Sequence, residues 1–502
     1  MPYIYRFLIL LASFMLCLPT HSQNNNIRSQ LGEAFHTFGN DAAVINANWT
    51  VYVRDVTAGE TILAHNVHQP VIPASIQKLI TTAAAVEILG SDHHYETLLQ
   101  HDGSLDRQGV LNGNLYITGS GDPSFGSSLM DDTLSLDHVF QKWTDLIKKL
   151  GVNEINGHII ADERIFDFEM VPRRWLWEHI GNYFGAGTSG LSANENEYTV
   201  FFAAGPAVGS PAAVVKTEPK VPEMTFINEV TTGPAGSGDQ VYIFGAPWTS
   251  QRHLTGTVPL GAREFEVRGS MPDPPGFVAE SFLHYLINNG IRVSGQSTSY
   301  RMADTDGIYP SEDRTTLDVQ DSPFFFDVIY RTNHYSVNSY AESLLKGIAA
   351  NTGEQGSTRE GIKVLTDFWQ SKGVDTEQMV LYDGSGLSPS NRITAAQLIA
   401  MLDEASRHPA FSMLYHSLPL AGYSGSLTNL FRGSDSEGQL RAKSGYMNGV
   451  RSYAGYTTMQ NGHLAAFVIV ANDYAATPAA MRHKMVRLMD AITRHNGQAI
   501  NF

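Results

Sequence analysis

A single cysteine, Cys17, occurs in the 502 residues, so the chain cannot close a disulfide on itself. Stability must come from core size, and this length is enough for two or three domains. Basic residues are in deficit, with 34 Lys and Arg against 50 Asp and Glu and a formal net charge of −16. No basic run interrupts that acidity, which argues against nucleic acid as a partner. Internal repeats and low-complexity tracts are lacking. So is any H-E-x-x-H, and the 18 histidines are scattered. No metal and no cofactor is therefore expected, and His93-His94 reads as a surface loop.

Long apolar runs are lacking too, except one near the start. Arg6 precedes the run Phe7–Leu18, and Thr20-His21-Ser22 puts small residues at both key positions of a cleavage site. Residues 1–22 read as a secretory signal peptide cut after Ser22. The run is too short to span a bilayer easily, and Leu16 before Cys17 fits a lipoprotein site poorly. The mature chain is then expected to have no cysteine and no transmembrane segment.

What is present is a change of texture along the chain. In "NWTVYVRDVTAGETILAHN", Trp49, Val51 and Val53 alternate with polar neighbours, which predicts strand, turn at Ala58-Gly59, strand. A helix follows from Pro73 to about Leu89, closed by Gly90. "VLNGNLYITG" predicts another strand, turn, strand. "LDHVFQKWTDLIKKLG" is amphipathic, with Val139, Phe140, Trp143, Leu146, Ile147 and Leu150 on one face. Residues 199–262 are rich in Val, Gly and Pro and read as β-structure. Helices are expected near 323–350, 357–373 and 394–407. Three alternating segments over 438–473 then predict an antiparallel sheet, and a last helix spans roughly 477–494. The two ends, 23–92 and 312–502, read as one α+β domain carrying the middle as an insertion.

The chemistry begins at "PASIQKLITTAAA". Ser75 and Lys78 are three apart, so they share one helix face. The rest of that helix is apolar on almost every side and is expected to be buried. A lysine there loses solvation, which lowers its proton affinity and fits it to take a proton from a serine. The pattern alone is weak, since Ser343 and Lys346 also match. Ser336-Val337-Asn338 gives an S-x-N leading into a helix, although Ser192-Ala193-Asn194 and Ser22 to Asn24 match as well. Lys443-Ser444-Gly445 is the one K-[ST]-G of the chain and opens a strand; Gly445 would let a substrate backbone approach. S-x-x-K, S-x-N and K-[ST]-G, in that order, are the motif set of penicillin-binding proteins and class A β-lactamases. The chosen matches all lie in the two flanking segments.

With "GNLYITGSGDPSF", "GHIIADERIF", "LSANEN", "YSVNSYAE", "DGSGLS" and "AKSGYMNGV" in order, the chain resembles the D-alanyl-D-alanine carboxypeptidase/endopeptidases of the penicillin-binding protein 4 type, serine peptidase family S13. The resemblance implies an α+β fold: a penicillin-binding, β-lactamase-like transpeptidase domain, its antiparallel sheet flanked by helices. The large insertion would form two smaller β-rich domains, one over 93–175 plus 263–311 and one nested within it over 176–262. It also implies cleavage of D-Ala–D-Ala termini or D-amino-acid cross-links of peptidoglycan in the periplasm. β-Lactam antibiotics would be covalent inhibitors. Ser75 would attack and be acylated, with Lys78 as general base. Ser336 would relay a proton to the leaving amine, and Asn338 would hold the substrate amide. Lys443 would add positive potential, and Ser444 would bind the terminal carboxylate. The oxyanion hole would be the N–H groups of Ser75 and Tyr446. Asp162, with Phe166 nearby, and Met447 would line the subsite for the peptide side chain. Relatives often carry Arg directly after "DGSGLS" where this chain has Pro389, with Arg392 a substitute. Oligomeric state stays open, a homo-oligomer included.

Two other readings remain at this point. A β-lactamase or esterase would use the same serine and lysine and differ in how fast the acyl-enzyme hydrolyses. A non-catalytic cell-wall binding protein would not require all three motifs intact.

Overall fold

The computed structural model describes residues 20–127, 129–130 and 134–500. The signal-peptide reading therefore falls almost wholly outside the described residues. Thr20–Ser22 begin the helix α1, Thr20–Gly39. Along the chain follow strands β1 (Asn48–Asp55) and β2 (Glu60–His65), a 3₁₀ turn over Ala74–Gln77 and helix α2 (Lys78–Leu89). After residue 321 come α3 (Phe325–His334), α4 (Asn338–Ala350), α5 (Thr358–Ser371) and α6 (Ala395–Arg407). The chain ends with β3 (Leu440–Met447), β4 (Val450–Thr458), β5 (Leu464–Asn472) and α7 (Pro478–Thr493).

The described chain divides into two compact units. The first holds residues up to Ile76, with Arg392–Phe411 and Leu418 onward. Its frame is a five-stranded antiparallel sheet in the order β2-β1-β5-β4-β3. The alternation around Val51 and Val53 puts both at 0 % exposure, packed with Phe35 and Phe38 of α1 and Met485 and Leu488 of α7. Helix α6 covers β1 and β5, with Tyr456 donating to the Leu402 carbonyl at 2.8 Å and Arg54 to Asp403 at 2.8 Å.

The second unit runs from Gln77 to Asn391, with Ser412–Ser417. Helices α2, α3, α4 and α5 pack together in it; Trp369 of α5 is fully buried and donates to the Ile80 carbonyl of α2 at 3.3 Å. Residues 96–321 supply the remaining sheets. A five-stranded mixed sheet carries Ile159–Asp162 between Ser297–Ser299 and Leu115–Thr118. Residues 197–270 form small sheets, as their composition predicts.

The two strands expected in "VLNGNLYITG" are present, as Val110–Asn112 and Leu115–Thr118, and they join different sheets. Gly113 makes the crossing with φ +154°, where a Cβ would meet the Gly103 backbone at 2.6 Å. The helix Leu136–Lys149 buries Thr144 rather than Leu150, which is exposed. The long helix expected over 323–350 is broken, because Ser336 takes φ +62°. That conformation is left-handed and cannot continue a right-handed helix.

Candidate active site

In the first unit, the backbone before Ser75 is tied to the sheet. Ile72 donates its N–H to Asn472 Oδ1 at 2.8 Å, and Asn472 Nδ2 donates back to the Ile72 carbonyl at 3.1 Å. Ser452 Oγ donates to the Pro73 carbonyl at 2.6 Å. Ala74 then sits at φ +50°, a left-handed conformation that costs a non-glycine residue about 1 kcal/mol or more. Ser75 follows, half-buried, in the 3₁₀ turn.

Strand β3 ends the sheet's order, beside β4. A Cβ at Gly445 would lie 3.0 Å from both Ser75 N and the Pro73 carbonyl, and would collide with Ser452 Oγ. The glycine therefore lets the Pro73–Ser75 backbone pass directly against the strand. This brings Ser75 N–H beside the Gly445-Tyr446 backbone. Lys443 is 1 % exposed and donates to the Ser444 carbonyl at 3.0 Å. Ser444 Oγ donates to Ser426 Oγ at 2.8 Å. Tyr446 is exposed, its ring beneath the Arg451 guanidinium, and Met447 is half-buried.

In the second unit, Lys78 starts α2, one turn along the chain from Ser75. It is 0 % exposed. Nζ donates to Asn338 Oδ1 at 2.5 Å and to the Ser385 carbonyl at 2.8 Å. Burial pulls its proton affinity down to about 7, and Asp383 and Glu342 only partly oppose that. Asn338 is the first residue of α4, and its Nδ2 donates to the Phe184 carbonyl at 2.6 Å. Ser336 is half-buried at the break before α4.

Residues that the motif scan passes over hold this half together. "DGSGLS" forms a buried loop organised by Asp383, whose carboxylate accepts from Gly386 N at 2.9 Å, Ser388 N at 2.6 Å and Trp175 Nε1 at 2.8 Å. Gln77, between the two motif residues, donates to Asp383 Oδ1 at 3.0 Å. Glu342 of α4 is fully buried; desolvation first, then Asp383, pushes its carboxyl above the usual range. The buried polar pairings could be suspected only from Gln77 and Glu342 lying on apolar helices. Trp175 is buried as expected of a packing residue, whereas Trp177 is 57 % exposed.

Asp162, expected in the side-chain subsite, is paired within the protein. It is 3 % exposed, and its carboxylate carries Arg164 and Arg314, each at 2.7 Å. Burial would raise its affinity for a proton, but the two guanidinium groups outweigh that and hold the carboxyl below its usual range. Phe166 is fully buried and packs against Gly121 and Gly356. The other motif matches are absorbed by structure. Lys346 pairs with Asp167 at 2.7 Å, Ser343 hydrogen-bonds Thr188, and Asn194 lies in a left-handed run with Glu195 and Asn196.

Comparison with known proteins agrees with the motif order. The model of the D-Ala-D-Ala carboxypeptidase 3 (S13) family matches residues 33–492. The chain is 29 % identical over 477 residues to a D-alanyl-D-alanine carboxypeptidase of Actinomadura sp. (strain R39), covering 92 % of this chain and 85 % of that one. It is 23 % identical over 453 residues to D-alanyl-D-alanine carboxypeptidase DacB of Haemophilus influenzae, covering 87 % and 88 %. In fold it is similar to the crystal structure of penicillin binding protein 4 from Haemophilus influenzae, with a TM-score of 0.78, 20 % identity, and 93 % and 99 % of the two chains covered.

Proposed function

This chain belongs to the D-Ala-D-Ala carboxypeptidase 3 (S13) family, and from that premise we propose that Ser75 is its nucleophile and Lys78 its base. The chain is a serine-type DD-peptidase, a class whose acyl-enzyme chemistry β-lactams intercept. The observation that carries the residue assignment is the burial of Lys78 one turn beyond Ser75, which lowers its proton affinity to about 7.

A neutral amine has two N–H donors and one lone pair. Asn338 Oδ1 and the Ser385 carbonyl accept from Lys78 Nζ, and the amine lone pair is the group proposed to take the Ser75 proton. Ser75 Oγ attacks the penultimate D-Ala carbonyl. The N–H groups of Ser75 and Tyr446 stabilise the oxyanion. The proton goes on through Ser336 to the leaving D-Ala amine, and water then releases the acyl group. Lys443 supplies positive potential, and Ser444 and Gly445 receive the C-terminal end of the substrate. Met447 lines the side-chain subsite. Asn338 acts as a fixed acceptor for Lys78, a role supported by its bridge to the Phe184 carbonyl.

The proposed substrate is the stem peptide of peptidoglycan, as a terminal D-Ala–D-Ala or a D-amino-acid cross-link. The proposed site of action is the periplasm, reached through the N-terminal leader. No helix among the described residues is long and apolar enough to cross a membrane. Mass spectrometry of muropeptides treated with purified protein tests this reading. Loss of one terminal D-Ala per stem is expected, and Ser75→Ala should abolish it. Unchanged cleavage by Ser75→Ala would refute the assignment. Rapid turnover of penicillin without a lasting adduct would favour the β-lactamase reading instead.

A further inference from the structure

The carboxylate of Glu342 accepts two consecutive backbone N–H groups. Gly384 N lies 3.1 and 3.0 Å from its two oxygens, and Ser385 N lies 2.8 Å from Oε1. The same loop turns the Ser385 carbonyl onto Lys78 Nζ at 2.8 Å. A peptide unit is planar, so Glu342, holding the Ser385 N–H, fixes the unit before Ser385, and Asp383, holding the Gly386 N–H at 2.9 Å, fixes the unit that carries the Ser385 carbonyl. The loop has little room to choose otherwise: a Cβ at Gly384 would lie 2.9 Å from the Ala341 carbonyl of α4. Asp383 closes the far side through the N–H groups of Gly386 and Ser388.

The cost of this arrangement shows that packing alone does not explain it. Glu342 is 0 % exposed beside Asp383, also 0 % exposed. A buried like-charged pair is unfavourable, and a neutral side chain could fill the same volume. A carboxylate is the side chain that offers two acceptor oxygens and no donor, so it can hold two N–H groups at once. Lys78 gains what a neutral residue would not give it, a carbonyl held in one direction.

We propose that Glu342 is a positioning residue for the acylation step: by anchoring the peptide unit before Ser385, with Asp383 anchoring the unit after it, Glu342 keeps the Ser385 carbonyl on Lys78 and thereby sets the direction of the Lys78 lone pair. The proposal rests on the reading of Lys78 as the base. Glu342 acts through the loop backbone. Its effect belongs in the chemical step and not in substrate affinity.

The test is stopped-flow acylation by a chromogenic β-lactam, which separates the non-covalent dissociation constant from the acylation rate constant. Glu342→Gln keeps the shape and replaces one acceptor by a donor facing an N–H. The acylation rate constant is expected to fall by about tenfold or more, with the dissociation constant within about twofold. Thr81→Val is the control. It removes a bond to the same loop, Thr81 Oγ1 to the Gly384 carbonyl at 2.7 Å, without freeing either N–H. It should lower the melting temperature with acylation kept within about twofold. If Glu342→Gln does not fold, Glu342→Asp, one methylene short, carries the same comparison. Equal losses of rate in the Glu342 and Thr81 variants at matched melting temperature would overturn the proposal. So would a Glu342→Gln enzyme with wild-type acylation. Lys78→Ala run in parallel separates the two readings: if it still acylates, the base assignment itself fails.

Discussion

Replacing Lys78 by methionine should change how stability depends on pH. The lysine ordinarily titrates at 10.5 and here at about 7 because it is buried. Between those values the unfolded chain binds a proton that the folded chain does not. Stability then rises with pH, by about 1.4 kcal/mol per pH unit from this one group. The sign is that of a lowered pKa: the contribution is full above 10.5 and is lost as pH falls through 7. At neutral pH, keeping lysine therefore costs about 4 kcal/mol relative to a side chain that never ionises. Methionine removes that cost but leaves Asn338 Oδ1 and the Ser385 carbonyl without their donor, at about 1–3 kcal/mol each. The absolute change is thus small, whereas the slope is not. Urea denaturation of both proteins at pH 7.5 and 9.5 measures it. The wild type should gain about 2.7 kcal/mol on Lys78→Met across that interval. A difference that stays flat would mean that Lys78 is an ordinary charged lysine, and the reasoning from burial to base would be wrong.

Other perturbations separate structure from chemistry. Gly445→Ala should push the Pro73–Ser75 backbone off the strand, costing about 1–3 kcal/mol and most of the acylation rate, read by penicillin labelling and thermal melting. Asp162→Asn should destabilise by about 3–5 kcal/mol, since Arg314 is nearly buried and Arg164 partly so. The depressed pKa makes that difference present above the usual carboxylate range and lost as pH falls through the folded value. A change in KM with unaltered stability would instead mark Asp162 as a substrate ligand. Ser336→Gly should relieve about 1 kcal/mol of left-handed strain while lowering peptidase turnover, measured by melting and D-Ala release. A variant that is less stable and fully active would contradict both halves.

The parts of the site legible in sequence were those with a short spacing. Ser75 with Lys78, Ser336 with Asn338, and Lys443 with Gly445 announce themselves because each pair lies on one turn or one strand end. The sheet was legible because β1 alternates around Val51 and Val53, and β4 and β5 are largely apolar runs bounded by turns. What escaped depends on contacts between distant segments or on unusual backbone. Nothing near Glu342 names Gly384 and Ser385 as its partners. Arg164, two residues from Asp162, could have signalled that the carboxylate is paired, but Arg314 lies far along the chain. The break at Ser336 and the 3₁₀ turn at Ser75 follow from left-handed residues that are not glycine, against local propensity. Both deviations fall at motif serines, where such strain is most often tolerated.

The central claim, that Ser75 carries the acyl group, is tested most directly by intact-mass analysis of the protein after benzylpenicillin, followed by peptide mapping. The account predicts one covalent adduct on the peptide containing Ser75, lost in Ser75→Ala and in Lys78→Met. An adduct on another serine, or the same adduct in Ser75→Ala, would contradict it.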